Sequence, residues 1–123
     1  MILWLRILMV AAGLFGASGV AAAAVSAHLV GGASLATAAT FLMIHAAALA
    51  GLCALALHIG RGRTALLVGA SAIAVGTILF SGDLALRALM EIKLLWGTAP
   101  TGGSLMIAGW LVAAFGGARL ARR

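Results

Sequence analysis

This chain is short of charge. Only 8% of its 123 residues are Asp, Glu, Lys or Arg, and only two are acidic. A soluble domain carries about 25% charged residues, because its surface faces water. Here 65% of residues are hydrophobic and the mean hydropathy is +1.25. Soluble globular, disordered and fibrous classes are therefore excluded. Tyrosine is absent, and there is one proline and one cysteine. A lone Cys53 forms no internal disulfide, so it says nothing about redox compartment. Within a run of Ala and Leu it reads as a small buried apolar residue. Also missing are a Gly-rich phosphate loop, a Ser-His-Asp set, a zinc pattern and a carboxylate pair. No catalytic residue, metal ligand set or cofactor is expected, and the chain is not expected to be an enzyme.

What is present is long apolar runs, each near the roughly 20 residues that cross a hydrocarbon core. The runs do not alternate apolar with polar, which argues against a strand barrel. Four spans are predicted, at about 5–27, 37–59, 64–84 and 102–118, in one membrane domain covering 1–123. Gly31-Gly32-Ala33-Ser34 breaks the first from the second. Arg61-Gly62-Arg63 forms the next turn, and Thr98-Ala99-Pro100-Thr101 precedes the fourth. Pro100 suits a loop or the first turn of a helix, where no N–H is needed. Arg6 is close enough to the chain start to snorkel, beside an interfacial Trp4. The first run, with small residues around Ala24–Ala27, has some features of a signal peptide. It is longer than a typical apolar signal core, so a true span is expected.

Between the third and fourth spans, residues 83–97 carry Asp83, Arg87, Glu91 and Lys93 yet remain leucine-rich. At about 100° per residue, Leu84, Ala85, Ala88, Leu89, Ile92, Leu95 and Trp96 share one face. Asp83, Arg87 and Glu91 share the other, one helical turn apart. The segment is predicted to be amphipathic, either extending the third helix or lying in the interface. Its spacing places Arg87 between two carboxylates.

The net charge of +6 sits at the edges of the apolar runs. Membrane orientation and contact with lipid headgroups explain this distribution, and nucleic-acid binding does not. With four spans, Arg6, Arg61, Arg63, Arg119, Arg122 and Arg123 share one side, and only Arg87 and Lys93 lie on the other. Positive-inside bias predicts both termini in the cytoplasm.

Membrane helices associate through close backbone approach and small side chains. Candidate packing positions are Gly16 and Gly19 in the first span, Gly51 in the second, Gly76 in the third, and Gly109 and Gly117 in the fourth. Among the polar residues, His45 lies inside the second span, and His28 and His58 lie at span ends. His45 is open to three readings: a neutral structural group, a functional polar site, or, like His28, a ligand for haem or a pigment. Trp110 falls in mid-span and its indole N–H needs an internal acceptor, for which His45 is at a similar depth. Asp83 reads as an ion-paired residue near a helix end; a transporter would use it as a proton carrier. Ser71, Thr77 and Ser81 can bond to carbonyls of their own helix.

Four short motifs occur in order. They are Gly16-Ala17-Ser18-Gly19-Val20 running to Ala27-His28, Thr37-Ala38-Ala39 with Met43-Ile44-His45-Ala46, Leu79-Phe80-Ser81-Gly82, and Pro100-Thr101-Gly102-Gly103 with Ala108-Gly109-Trp110. Together they resemble the small integral-membrane family known as domain of unknown function 423, related to eukaryotic transmembrane protein 256. The chain departs from that pattern at Ser26, Leu42, Asp83 and Arg87, which suggests a local partnership around Asp83. The resemblance implies a four-helix protein of the bacterial inner membrane and implies no activity. The leading expectation is a non-enzymatic accessory subunit that packs against a membrane-protein partner or its own copies, in contact with lipids. The alternatives are a small transporter or channel using His45 and Asp83, and a haem- or pigment-binding subunit.

Overall fold

The computed structural model describes residues 1–93 and 96–122. It contains four helices: α1 (Ile2–His28), α2 (Gly32–His58), α3 (Arg63–Met90) and α4 (Thr98–Ala118). All four are long and apolar enough to cross a membrane. Hydrocarbon offers backbone groups no water, so each apolar run satisfies its N–H and C=O groups internally, as helix. The protein is thus an all-α, four-span membrane protein, as the apolar runs predict.

The helices outrun the predicted spans. Ala33 and Ser34 are already inside α2, and the break narrows to Leu29–Gly31. Gly31 turns the chain at φ 98°, a left-handed conformation that a side chain resists. α4 begins at Thr98, with Pro100 in its first turn. α3 continues through Met90, and Glu91 ends it at φ 55°, with the Ile92 N–H bonded back to the Leu86 carbonyl. The amphipathic segment is therefore an extension of α3 that stops at Met90. Of its predicted apolar face, Ile92 and Trp96 lie beyond the helix, and Leu95 lies outside the described residues. Trp96 is 93% exposed in the turn before α4. Trp4, in the first turn of α1, is half-buried, and its indole donates to Ser71 Oγ at 2.8 Å.

A small antiparallel ladder was not expected. β1 (Ile59–Arg61) pairs with β2 (Ala121–Arg122), which ties the tail after α4 to the α2–α3 connection.

α3 is the central helix. Half of its apolar window is buried, against 22–28% for the other three. It packs most extensively with α4 and also with α2, while α1 packs mainly on α2. The molecule is thus two helical hairpins joined along α2 and α3, with α1 and α4 far apart in the packing order. The common core takes Leu8, Ala12 and Phe15 from α1, Leu49 and Cys53 from α2, and Leu67, Ala70 and Ile73 from α3.

The α3–α4 seam is built on glycines seven residues apart. Gly62, Gly69 and Gly76 meet Gly116, Gly109 and Gly102 in antiparallel register. The contacts are reciprocal and involve backbone. A methyl on Gly109 would lie 2.8 Å from the Gly69 carbonyl oxygen, and one on Gly69 would lie 2.7 Å from that of Gly109. The same exchange occurs between Gly76 and Gly102, at 2.6 and 2.7 Å. Gly62 and Gly116 close the series at the turn, where Gly62 also takes φ 83°. A seven-residue repeat keeps one stripe facing its partner along a left-handed crossing. With no Cβ between them, the carbonyls approach the opposite Cα–H groups.

Two of the glycines expected to pack do not. A methyl on Gly51 or Gly117 would meet nothing within 4 Å, since both point away from the other helices. Gly16 makes ordinary contact with Ala46, and Gly19 is tightly enclosed by Met43, Leu42 and the Ala39 carbonyl. Gly69, Gly102 and Gly116 pack in this seam although they are not among the candidate packing positions, because the seam repeats at seven residues.

Candidate functional site

α2 and α4 barely touch, and the space between them is a lipid-facing groove of about 490 Å³. Phe41 and His45 come from α2, Phe80 from α3, and Met106 and Trp110 from α4. Helical spacing places Phe41 and His45 one turn apart on one face, with ring centroids 5.8 Å apart. Phe41 also packs on Phe80, at 4.6 Å between centroids. The groove wall is almost wholly apolar, and His45 is its principal polar feature.

Both nitrogens of the buried His45 ring are engaged. Nδ1 lies 2.8 Å from the Phe41 carbonyl oxygen, which only accepts, so Nδ1 carries the hydrogen. Nε2 then has the lone pair, and it accepts from the Trp110 indole at 3.3 Å. The structure thus brings together the His45–Trp110 pair that depth along the spans suggests. This arrangement suits a neutral imidazole and leaves it no lone pair for a metal. His28, the other candidate ligand, ends α1 as an exposed residue. His58 is likewise exposed, at the end of α2. Among the described residues no group of His, Cys, Asp and Glu could hold a metal ion.

The second polar cluster lies near the far end of α3. Asp83, expected as an ion-paired residue near a helix end, is fully buried. It occupies the next seven-residue position after Gly76, so α3 turns it inward with the glycine seam. Arg87 reaches back one turn: Nε donates to Asp83 Oδ1 at 3.0 Å, and Nη2 lies 2.8 Å from Oδ2. The second contact is an ion pair, so charge attraction rather than a hydrogen bond holds Oδ2. Glu91 does not join the pair. Its left-handed backbone at the helix end carries it off the α-helical path, and it is exposed.

The hydroxyls divide unevenly. Ser71 donates to Leu67 O at 2.8 Å while accepting from Trp4. Thr77 donates to Ile73 O at 2.7 Å, with Met106 Sδ 3.5 Å away. Ser81 is buried and its Oγ has no hydrogen-bond partner among the described residues, against the expectation of a bond to its own helix. Sequence reasoning also missed Phe41 and Phe80 as groove walls. The four-residue spacing of Phe41 and His45 was a usable signal for the first; nothing local pointed to the second.

Comparison with known proteins agrees with this architecture. The family model described as "Protein of unknown function (DUF423)" matches residues 11–103. The UPF0382 membrane protein SH2409 of Staphylococcus haemolyticus (strain JCSC1435) is 47% identical over 38 residues, which are 31% of this chain and 31% of that protein. No solved structure matches the chain. The family match runs from within α1 to the first turns of α4 and takes in His45, Asp83 and most of the glycine seam, so the chain belongs to the DUF423 family of membrane proteins of unknown function.

Proposed function

We propose that this protein is a non-enzymatic accessory subunit of a larger complex in the bacterial inner membrane, with both termini cytoplasmic. One observation carries the reading: small-residue faces remain open to lipid after the chain has packed on itself. Gly13 and Ala17 on α1, and Ala47 and Gly51 on α2, are all exposed, at the four-residue spacing that lets backbones approach. The groups that other readings need are occupied. His45 has no free lone pair, which weighs against a haem or pigment ligand. Asp83 is buried and paired with Arg87, which weighs against a proton carrier. The orientation rests on the bias of basic residues towards the end that carries Arg6, Arg61, Arg63 and Arg119.

Affinity capture in mild detergent tests the role. The native chain should bring down a stoichiometric membrane protein, and Gly51→Leu should lose it while keeping the thermal stability of the monomer. Repeated recovery of the chain alone would overturn the reading. Orientation is checked by cysteine labelling in a Cys53→Ala background. A cysteine at Gly62 should react from the cytoplasmic side and one at Gly32 from outside.

A further inference from the structure

The two ends of the molecule differ in charge balance. At the α1–α2 and α3–α4 connections lie two basic residues, Arg87 and Lys93, and both acidic ones, Asp83 and Glu91. The whole excess of positive charge is therefore at the opposite end. There a cleft of about 710 Å³ opens between the β1–α3 turn and the end of α4. Arg61, Arg63 and Arg119 line it, with Phe115 and Leu120 on the apolar side.

We propose that this cleft holds the phosphate of an anionic phospholipid headgroup. Two of the three guanidinium groups are positioned without being neutralised, and the third, that of Arg61, is exposed beside them. Arg63 donates from Nε and Nη2 to the Ile59 carbonyl, at 3.0 and 2.6 Å. Arg119 lies 4.0 Å over the Phe115 ring. A carbonyl and a ring each fix a guanidinium and leave its full charge in place. Among the described residues no carboxylate pairs with any of the three. The helix ends do not supply the missing anion. The positive start of α3 and the negative end of α4 lie side by side, and their partial charges largely offset each other.

Depth selects the source of the phosphate. α3 has 28 residues. At 1.5 Å per residue that is roughly 42 Å, about the bilayer thickness with headgroups included. The cleft at its first turn therefore opens in the headgroup layer. The apolar Phe115 and Leu120 suit the start of an acyl chain, whereas a free anion would leave them exposed. Planar guanidinium groups match phosphate oxygens, and a cluster of them between membrane helices is a recognised form of lipid site. The site is separate from the small-residue faces, so it stands or falls independently of the accessory role.

The test uses the full chain in an uncharged detergent, with three additions: phosphatidylglycerol, phosphatidylcholine or inorganic phosphate. Phosphatidylglycerol should raise Tm by about 5 °C and remain bound at one molecule per chain in native mass spectrometry. The other two should do neither. Arg61→Gln should lose at least half of the Tm gain and most of the retained lipid, since the Arg61 side chain is exposed and its removal breaks no hydrogen bond among the described residues. Arg61→Gln/Arg119→Gln should abolish both effects. Arg6→Gln, at the same end but outside the cleft, should keep them. Equal stabilisation by phosphatidylcholine, or lipid retention unchanged in Arg61→Gln, would overturn the proposal. A gain from inorganic phosphate equal to that from phosphatidylglycerol would assign the cleft to a soluble phosphate instead.

Discussion

The two hairpins use the same small residues in different ways. In α1–α2 side chains make most of the contact: Gly19 is enclosed by the Met43 and Leu42 side chains and by a single backbone atom, the Ala39 carbonyl oxygen, and Gly16 meets the Ala46 methyl. In α3–α4 it is backbone against backbone, with glycine carbonyls exchanged at three successive levels. A flexible thioether can move aside when a neighbour grows, whereas a helix backbone cannot. The comparison teaches that abundance of glycine does not measure how tightly a membrane helix is held. The phase of the glycines relative to the partner does.

The largest expected effect breaks the α3–α4 seam. Gly109→Leu would drive a side chain into the Gly69 carbonyl and Ile73, and neither can yield without separating the helices. The loss should exceed about 4 kcal/mol, seen as failure to recover a monodisperse protein in detergent. Gly69→Leu should do the same from the other side. Leu111→Ala, which trims a side chain 67% exposed, should leave the protein folded.

Next comes the ion pair at the far end of the same hairpin, which α1–α2 has no counterpart for. Asp83 is completely buried, and Arg87 is 39% exposed. The two single variants should therefore differ. Arg87→Gln strands a buried carboxylate and should cost about 3 kcal/mol, whereas Asp83→Asn leaves a guanidinium that can extend to the interface. The double variant should recover part of the loss. A double-mutant cycle in detergent checks this, and simple additivity would mean that the contact carries no energy.

A smaller effect tests the softer hairpin directly. Gly19→Ala should cost about 1–2 kcal/mol: the nearest obstacle, the Met43 side chain, can turn away, while the Ala39 carbonyl and Leu42 Cβ, each 3.1 Å from the added methyl, need give by only a few tenths of an ångström. Gly109→Ala should cost clearly more for the same added methyl. Equal costs in thermal melts would erase the distinction between the hairpins. Smaller again is Trp110→Phe, which removes the donor to His45 Nε2. Intramembrane hydrogen bonds average about 0.6 kcal/mol, so Tm should fall only slightly. At the bottom of the scale, Gly117→Leu should change monomer stability by no more than about 0.5 kcal/mol, since open space surrounds that position.

These expectations also mark how far the sequence was legible. Four apolar runs identify four helices; every helix starts earlier than its run and α3 also ends later, because helix continues into the interface beyond the hydrocarbon, while the other three end within one residue of the predicted positions. His45 and Trp110 could be paired from their depth alone, since α2 and α4 cross in the same direction and each residue lies in the middle of its span. Phe80 could not be placed beside them, because its azimuth around α3 depends on how α3 meets α2. The β1–β2 ladder was equally invisible: five residues carry too little pattern to predict pairing between segments some sixty positions apart.

By itself, then, the sequence determined which segments cross the membrane and which end carries the excess charge. Both follow from local quantities: the transfer of apolar residues into hydrocarbon, and the requirement that each backbone satisfy its own hydrogen bonds there. Only the tertiary structure decided which glycines touch, that Asp83 turns inward, and that three arginines converge on one cleft. Those outcomes depend on the rotation of each helix about its axis. That rotation is set jointly by two helices, so neither strand of sequence contains it. Gly109 and Gly117 stand on the same helix eight residues apart, yet a methyl on one would meet a facing backbone and a methyl on the other would meet open space.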